Sequence, residues 1–228
     1  MRRVPALDPT SPPPRRRMGA LAGVLGLLVV ALPSLGFAQD DEDDRLAGAE
    51  SLGWVVGEAA APVTVVEFSD VSCPYCAQFH AGTRAELITE YVVAGQVRWI
   101  TLSYVSGLYR NSETLLVAAE CAGRQGRYET FLDAAYKERE AWISAREREL
   151  PPVVEGLVAD LGLDRSTFQE CQGDPGVNER LGAIRELART AGVRGTPTWM
   201  VNGFPVMGNL PLGYARQFIE SQLEPGGR

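Results

Sequence analysis

The stretch Cys73-Pro74-Tyr75-Cys76 decides the fold, because two thiols separated by two residues stand between a strand pattern and a helix pattern. Residues 63–68 before it are apolar and β-branched, which is typical of a buried strand. Ser72 is a suitable N-cap for the helix, and Pro74 suits its first turn, where a missing N–H costs nothing. We expect this helix to end near Ala94, just before Gly95.

A second informative stretch, Gly195-Thr196-Pro197-Thr198, lies about 120 residues downstream and places an X-Pro step at the start of a strand. Residues 97–102 form another strand pattern, so strand, helix and strand follow within roughly 40 residues. Such a unit implies two parallel strands joined by a right-handed crossover. Asn202-Gly203 between residues 198–201 and 204–207 predicts a hairpin turn, and residues 214–223 predict a closing helix.

Helical patterns fill the middle of the chain between the two strand-containing parts. Leu, Ala and aromatic residues recur there at helical spacing, and glycines separate the runs. The sequence therefore predicts an α/β fold: a four-stranded mixed sheet with helices on both faces and a helical insert at about residues 105–175.

The first 38 residues have the layout of a secretory signal peptide. Arginines at 2, 3 and 15–17 precede an apolar run of 13 residues at 21–33, and Gly36-Phe37-Ala38 offers small residues for cleavage. An uncleaved membrane anchor is the alternative, although a span needs about 20 residues. We expect an exported protein, periplasmic or otherwise extracytoplasmic, with an acidic linker at 39–50 and one domain at 51–228.

The charge of the predicted exported chain excludes some partners. Without the five arginines and one aspartate of residues 1–38, 17 basic and 28 acidic residues remain, a net charge of −11. An acidic surface argues against nucleic acid and anionic lipid as partners.

Four cysteines lie beyond the signal, and export would place them in an oxidising compartment. Cys73 and Cys76 pair by proximity, which leaves Cys121 and Cys171 to form a structural disulfide or to remain as two free buried thiols. Zinc at the CxxC would need two further ligands, and His80 is the one histidine. We therefore expect neither a metal nor a cofactor.

The order strand, CPYC, helix, strand, helical insert, GTPT, hairpin, helix resembles the DsbA-like branch of the thioredoxin superfamily. These proteins are exported bacterial thiol–disulfide oxidoreductases. The resemblance covers roughly residues 50–225, and residues 121–128, 161–164 and 191–197 also fit it. It implies a thioredoxin fold, a redox-active disulfide between Cys73 and Cys76, and a second bridge of the kind that some members carry in the insert.

The resemblance also implies roles for the two thiols and the proline. Cys73 at the helix start would face solvent as the attacking thiolate, favoured by the helix dipole, and Cys76 would be the buried resolving thiol. Pro197 would follow a cis bond, which turns the backbone of Thr196 towards the active-site sulfur and the client. Thr196 could also donate its hydroxyl to Cys73.

Two further side chains have alternative interpretations. Glu67, six residues before Cys73, is either a buried carboxylate with a raised pKa that relays protons to Cys76, or an edge residue that points to solvent. His80 is expected to be a surface helix residue rather than a catalytic one.

The expected substrates are unfolded or partly folded exported proteins, and a membrane redox partner would restore the disulfide. Family oxidases often have a histidine where this chain has Tyr75, so the direction of electron flow stays open. An oxidase is favoured, because residues 39–60 are too few for the dimerisation domain of the isomerases, and we expect a monomer. A reductase or isomerase, or a thiol chaperone with a dedicated client, is the alternative.

Overall fold

The computed structural model of the protein describes residues 45–224, so the predicted signal peptide and most of the predicted linker lie outside the described residues. Five strands form one sheet in the order β1-β3-β2-β4-β5. Their bounds are β1 Trp54–Val56, β2 Val63–Ser69, β3 Val97–Ser103, β4 Thr198–Val201 and β5 Phe204–Met207. β2 and β3 are parallel, and the other neighbouring pairs are antiparallel.

The predicted α/β fold with a mixed sheet and a helical insert is confirmed, but the strand count of four is wrong. The fifth strand, β1, pairs antiparallel with β3 and opposes Trp54 to Thr101. It has three residues, which is too few for an alternating or apolar run to stand out in the sequence. A short helix, α1 (Ala49–Leu52), precedes it, so an ordered element begins within the last two residues of the predicted linker.

The helix after β2 begins one residue later than expected and changes its winding. Cys73, not Ser72, is the N-cap of α2 (Pro74–Phe79). Beyond α2 the chain continues through a π-helical turn (His80–Arg84), α3 (Ala85–Leu87) and a second π-helical turn (Ile88–Val92). Wide turns of this kind occur frequently at functional sites.

The insert and the C-terminal part contribute seven α-helices within the described residues, and none of the helices there is long and apolar enough to cross a membrane. The insert holds α4 Ser112–Gly123, α5 Tyr128–Lys137, α6 Arg139–Trp142, α7 Leu150–Asp160 and α8 Arg165–Gln172; α9 Pro175–Thr190 leads back to β4, and α10 Leu212–Leu223 closes the described chain.

The sheet separates two apolar cores. The larger core packs the insert helices against Phe68, Ile100 and Leu102, and the smaller one packs α2 and α10 against Trp99 and Trp199. Burial of these apolar faces stabilises the sheet between its helical layers. The end of β2, and therefore the CPYC segment, lies where insert, sheet and α2 meet.

Candidate active site

The two thiols of the CPYC segment lie at the start of α2, and both are buried. Cys73 is 0% exposed, whereas Tyr75 between the two cysteines is 58% exposed. The expectation that the Cys73 sulfur faces solvent is therefore wrong for this structure. The thiol is covered by residues that are distant in sequence, Thr196 and Tyr109, both of which interact with it.

The surroundings of Cys73 favour its thiolate. The pKa of Cys73 is lowered to about 5, chiefly by a hydrogen bond from Cys76, against the opposing effect of burial. Hydrogen bonds from Thr196 and Tyr109 lower this pKa further. A thiol with such a pKa is almost wholly ionised at neutral pH, which is the form that attacks disulfides.

Cys76 has the opposite character. Burial raises the pKa of Cys76 well above its ordinary value, and the hydrogen bond and negative charge of Cys73 raise it further. The backbone N–H of Asp70 and the side chain of Ser69 partly offset this effect. The pair therefore combines one thiolate with one protonated thiol that donates to it.

The Thr196–Pro197 peptide bond is cis, and it brings the backbone before the proline to the active-site sulfur. The Cys73 thiol donates to the backbone carbonyl of Thr196, with 3.3 Å between Sγ and the oxygen. The Thr196 hydroxyl is buried without a hydrogen-bond partner in the described part of the chain when Cys73 is a thiol. The thiolate form offers that hydroxyl an acceptor, which agrees with its effect on the pKa of Cys73.

Glu67 is buried in β2, so the alternative of an edge residue pointing to solvent is wrong. One of its oxygens, Oε2, accepts from Arg84 Nε at 2.9 Å and from Trp99 Nε1 at 2.9 Å. No hydrogen bond joins Glu67 to Cys76 within residues 45–224. The structure therefore links this carboxylate to Arg84, and the alternative in which Glu67 relays protons to Cys76 stays a prediction.

His80 is buried, contrary to the expectation of a surface residue. Its Nε2 lies 2.6 Å from Oδ1 of Asp133, and its ring packs on Tyr136 with 4.6 Å between the ring centroids. The hydrogen bond with His80 lowers the pKa of Asp133. Asp133 is 53 residues away in the sequence, so no local pattern indicates this pair.

Two further residues at the site, Asp70 and Tyr109, are not among those predicted from the sequence. Asp70 follows β2 directly and is fully buried, and a carboxylate next to an apolar strand is the signal that could have indicated it. Tyr109 lies in the segment between β3 and α4, and the Cys73 thiolate raises the pKa of its hydroxyl to about 12. Its local sequence carries no sign of that contact.

The remaining cysteines form a bridge in the insert. Cys121 in α4 and Cys171 in α8 are joined with an S–S distance of 2.02 Å and a Cα–Cα distance of 5.6 Å, across 50 residues of sequence. Among residues 45–224, no three His, Cys, Asp or Glu side chains come together as a possible metal site.

Comparison with known proteins gives one family and several relatives. Residues 51–221 match the family described as Thioredoxin. The Na(+)/H(+) antiporter NhaA 1 of Salinispora arenicola is 33% identical over 198 residues, which are 84% of this chain and 26% of the antiporter. The putative protein-disulfide oxidoreductase of Rickettsia bellii is 26% identical over 65% of this chain and 56% of that protein. The chain thus spans about a quarter to a little over half of these relatives.

A third relative matches over most of both lengths. The probable disulfide bond formation protein D of Bacillus cereus is 24% identical over 82% of this chain and 87% of that protein.

Solved structures similar to this one include a DsbA protein and a thioredoxin-like oxidoreductase. Wolbachia pipientis alpha-DsbA1 superposes with a TM-score of 0.65 at 18% identity, over 75% of this chain and 90% of that chain. Oxidised BdbD from Bacillus subtilis superposes with a TM-score of 0.64 at 21% identity, over 77% of this chain and 95% of that chain. A thioredoxin-like oxidoreductase from Silicibacter pomeroyi superposes with a TM-score of 0.58 at 26% identity, over 73% of this chain and 89% of that chain. These likenesses establish a DsbA-like thioredoxin fold.

Proposed function

Because the chain belongs to the thioredoxin family and has the fold of its DsbA-like members, we propose that it is an exported protein-disulfide oxidoreductase. It forms disulfides in secreted proteins through Cys73 and Cys76. The observation that carries the proposal is the placement of the two thiols: Cys73 is the N-cap of α2 with its Sγ 3.3 Å from the carbonyl before the cis proline, and its pKa is lowered whereas that of the buried Cys76 is raised. One thiolate beside one protonated thiol is the arrangement that thiol–disulfide exchange uses.

The low pKa of Cys73 also favours the oxidase direction. Interactions that stabilise the thiolate exist only in the reduced form, so they shift the equilibrium away from the disulfide. A chain whose reduced form is stabilised gives up its disulfide readily, as strong oxidants of this class do. This argument favours disulfide formation over reduction.

In the first step of the proposed reaction, a client thiolate attacks Sγ of Cys73 in the Cys73–Cys76 disulfide. A bond forms between the client sulfur and Cys73, and the bond between Cys73 and Cys76 breaks. The electron pair of the broken bond goes to Cys76, which takes up a proton because its pKa is raised.

In the second step, another thiolate of the client attacks the client sulfur of the mixed disulfide. The client disulfide forms, and Cys73 leaves as a thiolate that stays ionised at neutral pH. A leaving thiol with a low pKa departs faster. Two electrons have then passed from the client to the chain, and a membrane redox partner would remove them.

The client would pair with the backbone at Thr196 in the manner of an added strand. When Cys73 is protonated, its thiol donates to the carbonyl of Thr196. Neither a thiolate nor a disulfide-bonded Cys73 has a proton to donate, so in both of these forms this carbonyl is free to accept an N–H of the client. The exposed side chains of Tyr75 and Leu108 offer apolar contact to an unfolded client.

Export is supported by the layout of residues 1–38, either as a cleaved signal peptide or as a retained anchor. An oxidising compartment is also the place where a bridge such as Cys121–Cys171 persists. We infer a monomer that acts on unfolded or partly folded exported proteins.

Stoichiometric oxidation of a client tests this function. The oxidised protein is mixed without oxygen with reduced, unfolded ribonuclease A, and free thiols are counted on both proteins. The client should lose two thiols for each chain that gains two, and a Cys73→Ser variant should be inactive. The variant with Cys121→Ala and Cys171→Ala is the matched control that should keep the activity. Failure of the wild type to oxidise the client would overturn the oxidase assignment.

A further inference from the structure

Asp70 is a buried carboxylate that the exchange reaction as described does not use. It is the first residue after β2, three residues before Cys73, and it is 0% exposed. No lysine, arginine or histidine forms an ion pair with it in the part of the chain that the structure describes. A buried charge without a cation is expensive unless hydrogen bonds satisfy it.

Four hydrogen bonds satisfy this carboxylate, and they come from two separate segments. Oδ1 accepts from the backbone N–H of Ser72 at 3.0 Å and from the hydroxyl of Ser112 at 2.5 Å. Oδ2 accepts from the backbone N–H of Ser106 at 3.1 Å and from the Ser106 hydroxyl at 2.6 Å. The Asp70 side chain therefore fastens residues 106–112 to the loop that carries the attacking thiol.

The backbone of Asp70 belongs to the same arrangement. Its carbonyl accepts from the N–H of Cys73 at 2.9 Å, and its N–H interacts with the Cys76 sulfur. Tyr109, whose hydroxyl interacts with Cys73, lies between Ser106 and Ser112. Both ends of the segment that holds Tyr109 are therefore tied to one carboxylate.

We propose that Asp70 is a positioning residue: its buried carboxylate holds residues 106–112 against the Cys73 loop and thereby keeps the Tyr109 hydroxyl beside the attacking sulfur. This inference rests on the proposed function, since it concerns the reactivity of the same thiol. The segment between β3 and α4 therefore helps to determine the fraction of Cys73 that is ionised.

The donor pattern explains why the group must be a carboxylate. The two backbone N–H groups, of Ser72 and Ser106, point at different oxygens of Asp70. A serine hydroxyl can rotate and accept a hydrogen bond from an amide NH₂ group, but a backbone N–H can only donate. An asparagine, in either orientation of its amide, would therefore face one backbone donor with its own NH₂ group and release one of the two segments.

The sign of the effect separates positioning from simple electrostatics. Removing a negative charge near Cys73 would by itself lower the pKa of the thiol, because a nearby like charge disfavours the thiolate. Releasing Tyr109 removes a hydrogen bond to the thiolate and raises the pKa of Cys73 instead. A purely structural role would change the stability of the protein but leave the pH profile of Cys73 where it is.

The test is the pH dependence of Cys73 alkylation by iodoacetamide in the reduced protein, with thiolate absorbance at 240 nm as a second readout. Asp70→Asn should raise the apparent pKa of Cys73, so that alkylation at about pH 4, below that pKa, slows about tenfold for a rise of one pKa unit. Asp164→Asn is the matched control, since Asp164 also accepts a backbone N–H, from Thr167, but lies in the insert at the start of α8. It should leave the profile unchanged.

Two further variants complete the test. Tyr109→Phe should raise the pKa of Cys73, and adding Asp70→Asn to it should change little, because both act through one hydrogen bond. If Asp70→Asn does not fold, the pair Ser106→Ala and Ser112→Ala, which keeps the carboxylate, must give the same rise.

An unchanged or lowered pKa of Cys73 in a folded Asp70→Asn or double-serine variant would overturn the proposal. Full additivity with Tyr109→Phe would overturn it equally. These measurements need no client protein, so a wild type that fails to oxidise ribonuclease A refutes the proposed function separately.

Discussion

The Sγ of Cys73 lies 3.3 Å from the backbone carbonyl oxygen of Thr196, the residue before the cis proline. This contact joins two segments that are 123 residues apart in the sequence. The carbonyl accepts a hydrogen bond from a protonated Cys73 thiol and is open to a client when Cys73 is a thiolate or is in a disulfide. The contact therefore places the attacking sulfur at the backbone edge at which we expect clients to bind.

A Cys76→Ala variant should accumulate client proteins on Cys73. Without the resolving thiol, a mixed disulfide formed at Cys73 has no intramolecular route of release. Expressed in the exporting compartment, this variant should give high-mass adducts that disappear on reduction. The variant with Cys73→Ala and Cys76→Ala is the control without adducts. A folded, exported Cys76→Ala protein that captures nothing would contradict a general oxidoreductase and favour the dedicated chaperone.

The stability of the reduced protein should depend on pH through Cys73. Its pKa is about 5 in the folded state and about 8.5 in an unfolded chain. The depressed pKa contributes stability that is fully present above about pH 8.5 and is lost as the pH falls towards about 5. The raised pKa of Cys76 acts in the opposite sense, but only above about pH 8.5.

Denaturant unfolding of the reduced wild type and of Cys73→Ser checks this dependence. Their difference in unfolding free energy should rise with pH between about 5 and 8.5, with a slope of up to about 1.4 kcal/mol per pH unit. A difference that is flat across this window would show that the pKa of Cys73 is not depressed.

Removal of the Cys121–Cys171 bridge should destabilise the protein and spare its chemistry. The bridge closes a loop across 50 residues, for which loop-closure entropy predicts about 4 kcal/mol. Guanidinium unfolding of the variant with Cys121→Ala and Cys171→Ala measures the loss, and client oxidation by the same variant checks the site. Two free thiols in the denatured, air-oxidised wild type would refute the bridge.

Tyr75→His should make the protein a stronger oxidant. Tyr75 is exposed beside Cys73, and a tyrosine there cannot supply the positive charge with which a protonated histidine stabilises a thiolate. The expected results are a lower pKa of Cys73 and a less negative reduction potential. Tyr75→Phe should change neither quantity by much. Equal potentials for the histidine and phenylalanine variants would show that the residue at this position does not set the thiolate energy.

The parts of the fold that the sequence predicted are those with strong local patterns. The four strands β2 to β5 are apolar or are flanked by turn residues. Proline and glycine residues stand at the ends of the helices next to them. The edge strand β1 has three residues and depends on pairing with β3, which no local pattern reveals. The π-helical turns in the helix after Cys73 likewise have no local pattern that predicts them.

The same division holds at the site. The sequence predicts the roles of Cys73, Cys76 and the Thr196-Pro197 step, because each belongs to a short local motif at the start of a helix or strand. Asp70 meets Ser106 and Ser112 across 36 and 42 residues, and such contacts leave no trace in a single sequence.

The surroundings of Glu67 and His80 depend on partners of this distant kind. A proton relay to Cys76 was one of two alternatives for Glu67, and Arg84, 17 residues along the chain, binds its carboxylate. His80 was expected at the surface, but Asp133 and Tyr136 from α5 enclose it.

The equilibrium of the Cys73–Cys76 disulfide with glutathione tests the central claim most directly. A thiolate with a pKa of about 5 stabilises the reduced form, so we predict a potential well above that of thioredoxin, less negative than about −200 mV. In a buffer of about −230 mV the pair should then be mostly reduced. A potential near or below about −270 mV, with the pair mostly oxidised in that buffer, would contradict the account and indicate a reductase.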